Sequence, residues 1–378
     1  MPLTIGLPRM HKEAGELRDF LPELAASLDP LDVAEIVLEE GCGSGMDIPP
    51  AAYLEASKKV RFASNEQAWA QDLVLVLRFP EHRSLELMKK GATLLSMIHY
   101  PTRPGRVRRL PAQGLEAVSL DSIVDDKGRR LLENLESVGW NGLRTAFEVI
   151  RRRDPAFASP DRKPYRVTVL GVGAVGGNAV QAASRYGNPK LRAELAAEQA
   201  PGVIVTAVDY DLTGHEAHMR ELLASTDVLV DATQRPDPSR PVIPNRWLAE
   251  LPEEAVLVDL SVDPYDLDAD PVAVKGLEGC PQGDLDQFVF PPDDPAFDRI
   301  DKRVDTTHRR TAVSCYSWPG VYPKPCMEVY GRQLAPLLKA LIGKGGVAGL
   351  DLESADRYER AVARAELGRW KKLHGQAR

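Results

Sequence analysis

No stretch of the 378 residues approaches the ~18–20 consecutive apolar residues a membrane-spanning helix needs. The first residues also lack the basic-then-apolar order of a secretion signal, because Glu13, Glu16 and Asp19 follow at once. There is no low-complexity tract and no repeat of solenoid length, which excludes disordered, fibrous and repeat architectures. Basic residues are in deficit: 48 Lys and Arg against 55 Asp and Glu give a net charge of −7, with no basic stripe to offset it. A general nucleic-acid binder is excluded on that ground. Cysteine is scarce, and Cys42, Cys280, Cys315 and Cys326 form no CxxC pair; they read as reduced thiols in a cytoplasmic protein. His215 and His218 have no HExxH context and no obvious third ligand, so they read as a solvated helix face and no metal is expected. Gly41-Cys-Gly-Ser-Gly45 lacks a following basic residue and is not read as a phosphate loop.

What is present is alternation. Apolar runs at Leu3–Leu7, Val33–Leu38, Asp72–Arg78 and Thr93–His99 read as strands. Helix-like stretches lie at Glu13–Ser27, Pro50–Ser57, Asn65–Gln71 and Ser84–Lys90, and Ala112–Val118 and Asp121–Val124 close the first half. A long helical pattern from about Arg130 to Arg152 leads through a Pro/Asp/Ser-rich linker, Asp154–Lys163, into a second series. Its strands are Arg166–Leu170, Val203–Val208, Asp227–Ala232 and Ala255–Val262; Asp263–Asp305 reads as loop-rich, and Val329–Ile342 and Ser354–Leu373 as closing helices. Periods that switch between 2 and 3.6 predict an α/β protein with mainly parallel sheets.

The sharpest motif is Gly171-Val-Gly173-Ala174-Val175-Gly176-Gly177, directly after the strand ending at Leu170 and opening a helix. Gly171 permits the tight turn, Gly173 lets backbone approach a pyrophosphate, and Gly176 brings the helix close to the strand so that its positive end meets the phosphates. Asp209, at the end of Val203–Val208, is placed to accept hydrogen bonds from an adenosine ribose and to repel a 2′-phosphate, which favours NAD. It lies 33 residues past Gly176, and an insertion at Asn188–Gly202 accounts for the distance. Thr233 and Leu260, at later strand ends, complete the expected cofactor-binding set with Ala174 and Val175. A ligand-free glycine turn and a site for S-adenosylmethionine are the alternative readings.

Polar residues also collect at strand ends in the first half. Arg18 and Arg78 offer rigid donor forks for carboxylate, Arg130 follows the Asp125-Asp-Lys-Gly turn, and His99 is the natural proton-transfer group. A strand-capping histidine and, for Arg18, a solvated helix face are the alternatives. Asp263 ends Val258-Asp-Leu-Ser-Val-Asp263-Pro264, where it would orient a nicotinamide ribose, a water or a substrate amine, or simply form an Asp-Pro turn.

Taken together, these residues resemble the alanine dehydrogenase / pyridine nucleotide transhydrogenase superfamily, with features similar to lysine-forming saccharopine dehydrogenase. Ile5-Gly-Leu-Pro-Arg9 with Arg18 resembles the N-terminal strand and substrate-binding arginine, and Leu95-Ser-Met-Ile-His99 the strand of the catalytic histidine. Asp125–Arg130 with Val138-Gly-Trp-Asn-Gly142 is similar to the segment before the interdomain helix, and Val258–Asp263 to the strand carrying an active-site aspartate. The resemblance implies two Rossmann-like domains with the cofactor cleft between them. The expected division is residues 1–135 plus 312–378 for substrate and catalysis, and 136–311 for NAD. It implies NAD-linked oxidative deamination or reductive amination, with His99, Arg78 and Asp263 as catalytic residues and Arg18, Arg78 and Arg130 as substrate-binding ones. Two departures stand out. Arg78 occupies the place of a family lysine and cannot shuttle a proton, and the region Tyr316–Pro319 lacks the Asp-His pair of saccharopine dehydrogenases. An NAD-binding sensor or subunit with a decayed site, or a non-redox enzyme on the same fold, are the competing functions. The expected partner is a small amino or oxo acid, with neither nucleic acid nor membrane; a homo-oligomer such as a dimer is left open, because family members differ in oligomeric state.

Overall fold

The computed structural model describes residues 2–10 and 14–375. By its contacts the chain divides into two units, Met1–Asn134 with Tyr322–Arg378, and Leu135–Val321. Residues 312–321 belong with the second unit because Thr311–Ser314 pairs in parallel with Val256–Asp259.

In the first unit six strands lie in the order β3-β2-β1-β4-β5-β6: β1 Leu3–Leu7, β2 Val33–Glu39, β3 Val60–Ala63, β4 Leu73–Arg78, β5 Thr93–Met97 and β6 Glu116–Ser119. All five pairings are parallel. The apolar runs are continuous because both faces are covered. Along β4, Leu73, Leu75 and Leu77 enter a core shared with helix Pro323–Gly343 and with Val362 of helix Arg357–Ala365. Val74 and Val76 enter another core, with Leu85, Leu110 and Leu367. The C-terminal helices are therefore part of this unit. Strand order reverses between β1 and β4, and in an open parallel sheet the crevice at such a switch point is where ligands bind.

The second unit has the order β11-β12-β10-β9-β7-β8: β7 Tyr165–Leu170, β8 Val203–Val208, β9 Val228–Asp231, β10 Val256–Asp259, β11 Val289–Phe290 and β12 Thr311–Ser314. All are parallel except β11, a two-residue antiparallel edge within the loop-rich region. Val167, Val169, Val228, Val230, Val256 and Val258 face one core, and Leu170, Leu229 and Leu257 the other.

Local differences from the sequence reading have local causes. The helix expected from Glu13 begins at Pro22: Gly15 is left-handed (φ 70°) and Leu21 extended, and Glu13 itself lies outside the described residues. Asp121 lies in a 3₁₀ turn, Leu120–Ser122. Helix Pro104–Ala112 ends at Ala112, and the last strand of this sheet, β6, begins at Glu116. Ser354–Leu373 is broken at Glu366, whose carboxylate caps the following helix, Leu367–His374. The residues between Gly176 and Asp209 include a second helix, Pro189–Ala197, capped by Asn188, which leaves Asp209 at the end of β8 beside β7.

Candidate functional site

The second unit builds a phosphate-type cradle. Gly171 has φ 86°, and a Cβ there would come within 2.8 Å of the Ala232 carbonyl oxygen. A Cβ at Gly176 would lie 1.9 Å from the Gly171 oxygen, so helix and turn are in direct contact. At Gly173, by contrast, nothing lies within 4 Å. Helix Ala174–Ala183 starts there with no side-chain cap, so the first N–H groups of the helix have no side-chain acceptor and are donors for an anion. These residues fit the pyrophosphate of a dinucleotide. Asp209 is partly exposed at the end of β8, next to Tyr210, which is 84% exposed.

Behind the cradle, the ends of β9, β10 and β12 enclose charges. Asp231, Asp259 and Lys275 are buried; Lys275 Nζ donates to an Asp259 oxygen and, at 2.7 Å, to Gln282. Asp259 also accepts from Ser261, Val262 N and Ser314. Burial pushes the Asp259 carboxyl up, but the Lys275 charge outweighs it and holds it below its ordinary value. Asp231 accepts from Thr233 N (3.0 Å) and Thr233 Oγ1 (2.7 Å) through one oxygen, and its other oxygen has no hydrogen bond. Burial, then the like charge of Asp259, pushes it up to about 6. Asp231 thus positions Thr233. Leu260 is 3% exposed and packs in the core, so it offers a ligand its backbone rather than its side chain. Asp263 is ion-paired with Arg235 at 2.7 Å. It follows Val262, a β-branched residue held at φ 61° by its N–H bond to Asp259. Such strain is costly and concentrates at functional positions.

The first unit gathers a second constellation at the carboxyl ends of its strands. Arg78, ending β4, is in register with Met97 of β5, two residues before His99. His99 has φ 58°; its N–H donates to Asp121 Oδ1 at 3.1 Å and its Nδ1 lies 3.2 Å from Asp121 Oδ2. Asp121 also accepts from Ser119 Oγ at 2.8 Å. Burial would raise the Asp121 carboxyl, but the bonds and charge of His99 outweigh it and hold it at about 2. Arg18 is 3% exposed and closes bidentately on Glu16, at 2.8 and 2.5 Å. It is not a solvated helix face. Arg130 is exposed, in the turn bridged to Val124. The charges of Arg18, Arg130 and Arg78 all reach the buried hydroxyl of Tyr330, whose pKa burial nevertheless raises. Beside Arg78, a cavity of about 400 Å³ is lined by Arg9, Glu39, Trp69 and Arg83 among others.

Sequence reasoning missed Asp121, Tyr330, Glu16, Asp231 and Lys275. Ser119-Leu-Asp121 at a strand end was a usable signal for the first. Lys275 sits in an Asp/Pro-rich stretch where nothing marks it as buried.

Two parallel-sheet units, one with an uncapped helix behind a Gly-rich turn and one with a histidine–carboxylate pair among arginines, define a dehydrogenase-type oxidoreductase. The chain belongs to the alanine dehydrogenase/PNT family: its N-terminal domain model matches residues 14–138 and its C-terminal domain model residues 158–264. It is 21% identical over 373 residues to the NAD(P) transhydrogenase subunit alpha of Haemophilus influenzae, covering 93% of this chain and 69% of that one. It is 21% identical over 333 residues to the alanine dehydrogenase of Bacillus subtilis, covering 83% and 79%. Among solved structures, an L-alanine dehydrogenase superposes with TM-score 0.71 at 18% identity, over 96% of this chain and 94% of that one. The Sinorhizobium meliloti transhydrogenase gives 0.65 at 16% identity, over 95% and 97%. Among the described residues no helix is long and apolar enough to cross a membrane.

Proposed function

We propose that this protein is an NAD-dependent oxidoreductase acting at the C–N bond of an amino or imino acid. The observation that carries the reading is the His99–Asp121 pair standing beside Arg78, in a chain that also holds the glycine cradle. With Nδ1–H donating to Asp121, His99 presents Nε2 to hold or release a proton. Arg78 holds the substrate carboxylate, with Arg130 and Arg18 as the further substrate-binding arginines. Gly171, Gly173, Ala174, Val175 and Gly176 hold the pyrophosphate, Asp209 the adenosine ribose, and Thr233, Leu260 and Asp263 the rest of the cofactor region. A bound nicotinamide supplies the hydride donor or acceptor. Arginine in place of the family lysine keeps carboxylate binding and removes one proton carrier, so alanine and saccharopine are both disfavoured as substrates. The same substitution favours one second reading, a nucleotide-binding sensor or subunit without turnover. Fluorescence titration with NADH, followed by a screen of amino acids and of 2-oxo acids with amines, separates the two. NADH binding with turnover supports the enzyme, and binding without any turnover supports the sensor. Absence of NADH binding removes both.

A further inference from the structure

Between residues 78 and 109 the chain carries eight lysines and arginines against two glutamates, in a protein of net charge −7. Arg106 is the most firmly built of them. Its guanidinium lies 4.3 Å from the centroid of the Phe79 ring, and its Nη1 donates at 3.2 Å to the carbonyl of Ile98, the residue before His99. Burial, then the like charges of Arg103 and Arg78, disfavours its protonated form, and Asp121 supplies the opposing charge. Arg106, Arg109 and Arg83 line an open cavity of about 700 Å³, which shares Pro80, Glu81 and Arg83 with the cavity beside Arg78. The carboxylates within reach are engaged: Glu81 pairs with Arg83 at 3.2 Å, and Asp121 holds His99 and Ser119. Arg106 itself donates to a carbonyl and, among the described residues, is in no ion pair, so its charge is available to an anion in this cavity.

We propose that Arg106 is a second anion subsite beside His99, so that the substrate is an amino or oxo acid with a second anionic group, a carboxylate or a phosphate. This rests on the reading of the first unit as an acid-binding site. The packing on Phe79 fixes the fork, and its remaining N–H groups are donors for a planar or tetrahedral anion. The full-length protein with NADH present is titrated calorimetrically with L-alanine, L-glutamate and O-phospho-L-serine. L-Glutamate or O-phospho-L-serine binds more tightly than L-alanine by about tenfold or more, the worth of one charge-assisted hydrogen bond. Whichever binds tighter identifies the group. Arg106→Gln brings that preference to within about twofold, and Arg106→Lys, which keeps the charge without the fork, leaves it intermediate. Melting curves of both variants establish that they are folded, and the lysine variant carries the test if the glutamine variant is not. Binding of L-alanine alone, or a preference that survives in both variants, overturns the subsite and leaves the acid-binding reading standing. Failure of all three ligands to bind overturns that reading and the subsite with it.

Discussion

His99 occupies a left-handed backbone position, φ 58°, and spends both its N–H and its Nδ1 on one carboxylate. A residue that only capped a strand would not need so specific an arrangement. If His99 moves the proton, His99→Ala lowers kcat by about 10²–10⁴-fold, the usual worth of a general acid–base group, with NADH affinity unchanged. Asp121 acts through it: Asp121→Asn lowers kcat by up to about 10⁴-fold and Asp121→Glu recovers part of the loss, because a carboxylate and not merely a polar group fixes the imidazole. Full activity in His99→Ala removes the assignment. Asp209 carries a separate expectation. Its charge opposes a 2′-phosphate, so NADH binds more tightly than NADPH, and Asp209→Ser narrows the difference. Dissociation constants for the two cofactors decide it, and tighter NADPH binding by the unaltered protein contradicts it.

At the scale of elements, the strands and the Gly-rich turn were legible because continuous Val/Leu runs and Gly171-x-Gly173-x-x-Gly176 are local signals. The closure of Arg18 on Glu16 was not, since nothing in the sequence marks that pair as enclosed. Nor was the buried lysine that joins the ends of β10 and β12 through Asp259 and Ser314. Only the fold brings Lys275 under two carboxylates, and one positive charge cannot match both. The mismatch falls on Asp231, raised from 3.8 to about 6. Its folded value lies above its unfolded one, so the folded state binds the proton more tightly. Stability from this group is present below about pH 4, is lost as pH rises toward about 6, and is constant above that. The full effect is on the order of 2–3 kcal/mol at about 1.4 kcal/mol per pKa unit. Asp231→Asn keeps an acceptor for Thr233 and leaves Lys275 with one counter-charge. At pH 8 the variant melts several degrees above the unaltered protein, and the gap closes toward pH 4. Melting curves across that range are the check; parallel curves for the two proteins contradict the charge mismatch.

For the molecule as a whole, the decisive feature is that the first unit is discontinuous, its sheet supplied by residues before 134 and part of its core by residues after 322. Val362 and Ala363 are buried against β-sheet leucines, and Leu367 enters the core on the other face. Glu366 bridges to Val118 of β6, the Tyr100 hydroxyl donates to Ala365 O at 3.3 Å, and Arg360 and Arg364 hold Asp126 in the turn that presents Arg130. Removing residues 351–378 uncovers both faces of one sheet edge at once. Losing Val362 and Leu367 alone costs about 3–6 kcal/mol, taking about 1.5–3 kcal/mol for each buried aliphatic side chain, a large part of a typical domain's stability. The cradle at Gly171–Gly176 lies wholly within the other unit, among residues 135–321. The truncated chain therefore exchanges backbone hydrogens quickly across residues 1–134 while residues 165–260 stay protected, and it still binds NADH. Hydrogen exchange followed by mass spectrometry, with NADH fluorescence on the same sample, measures both. Equal loss of protection in the two segments would mean that the chain's last helices stabilise the whole molecule rather than the sheet they complete.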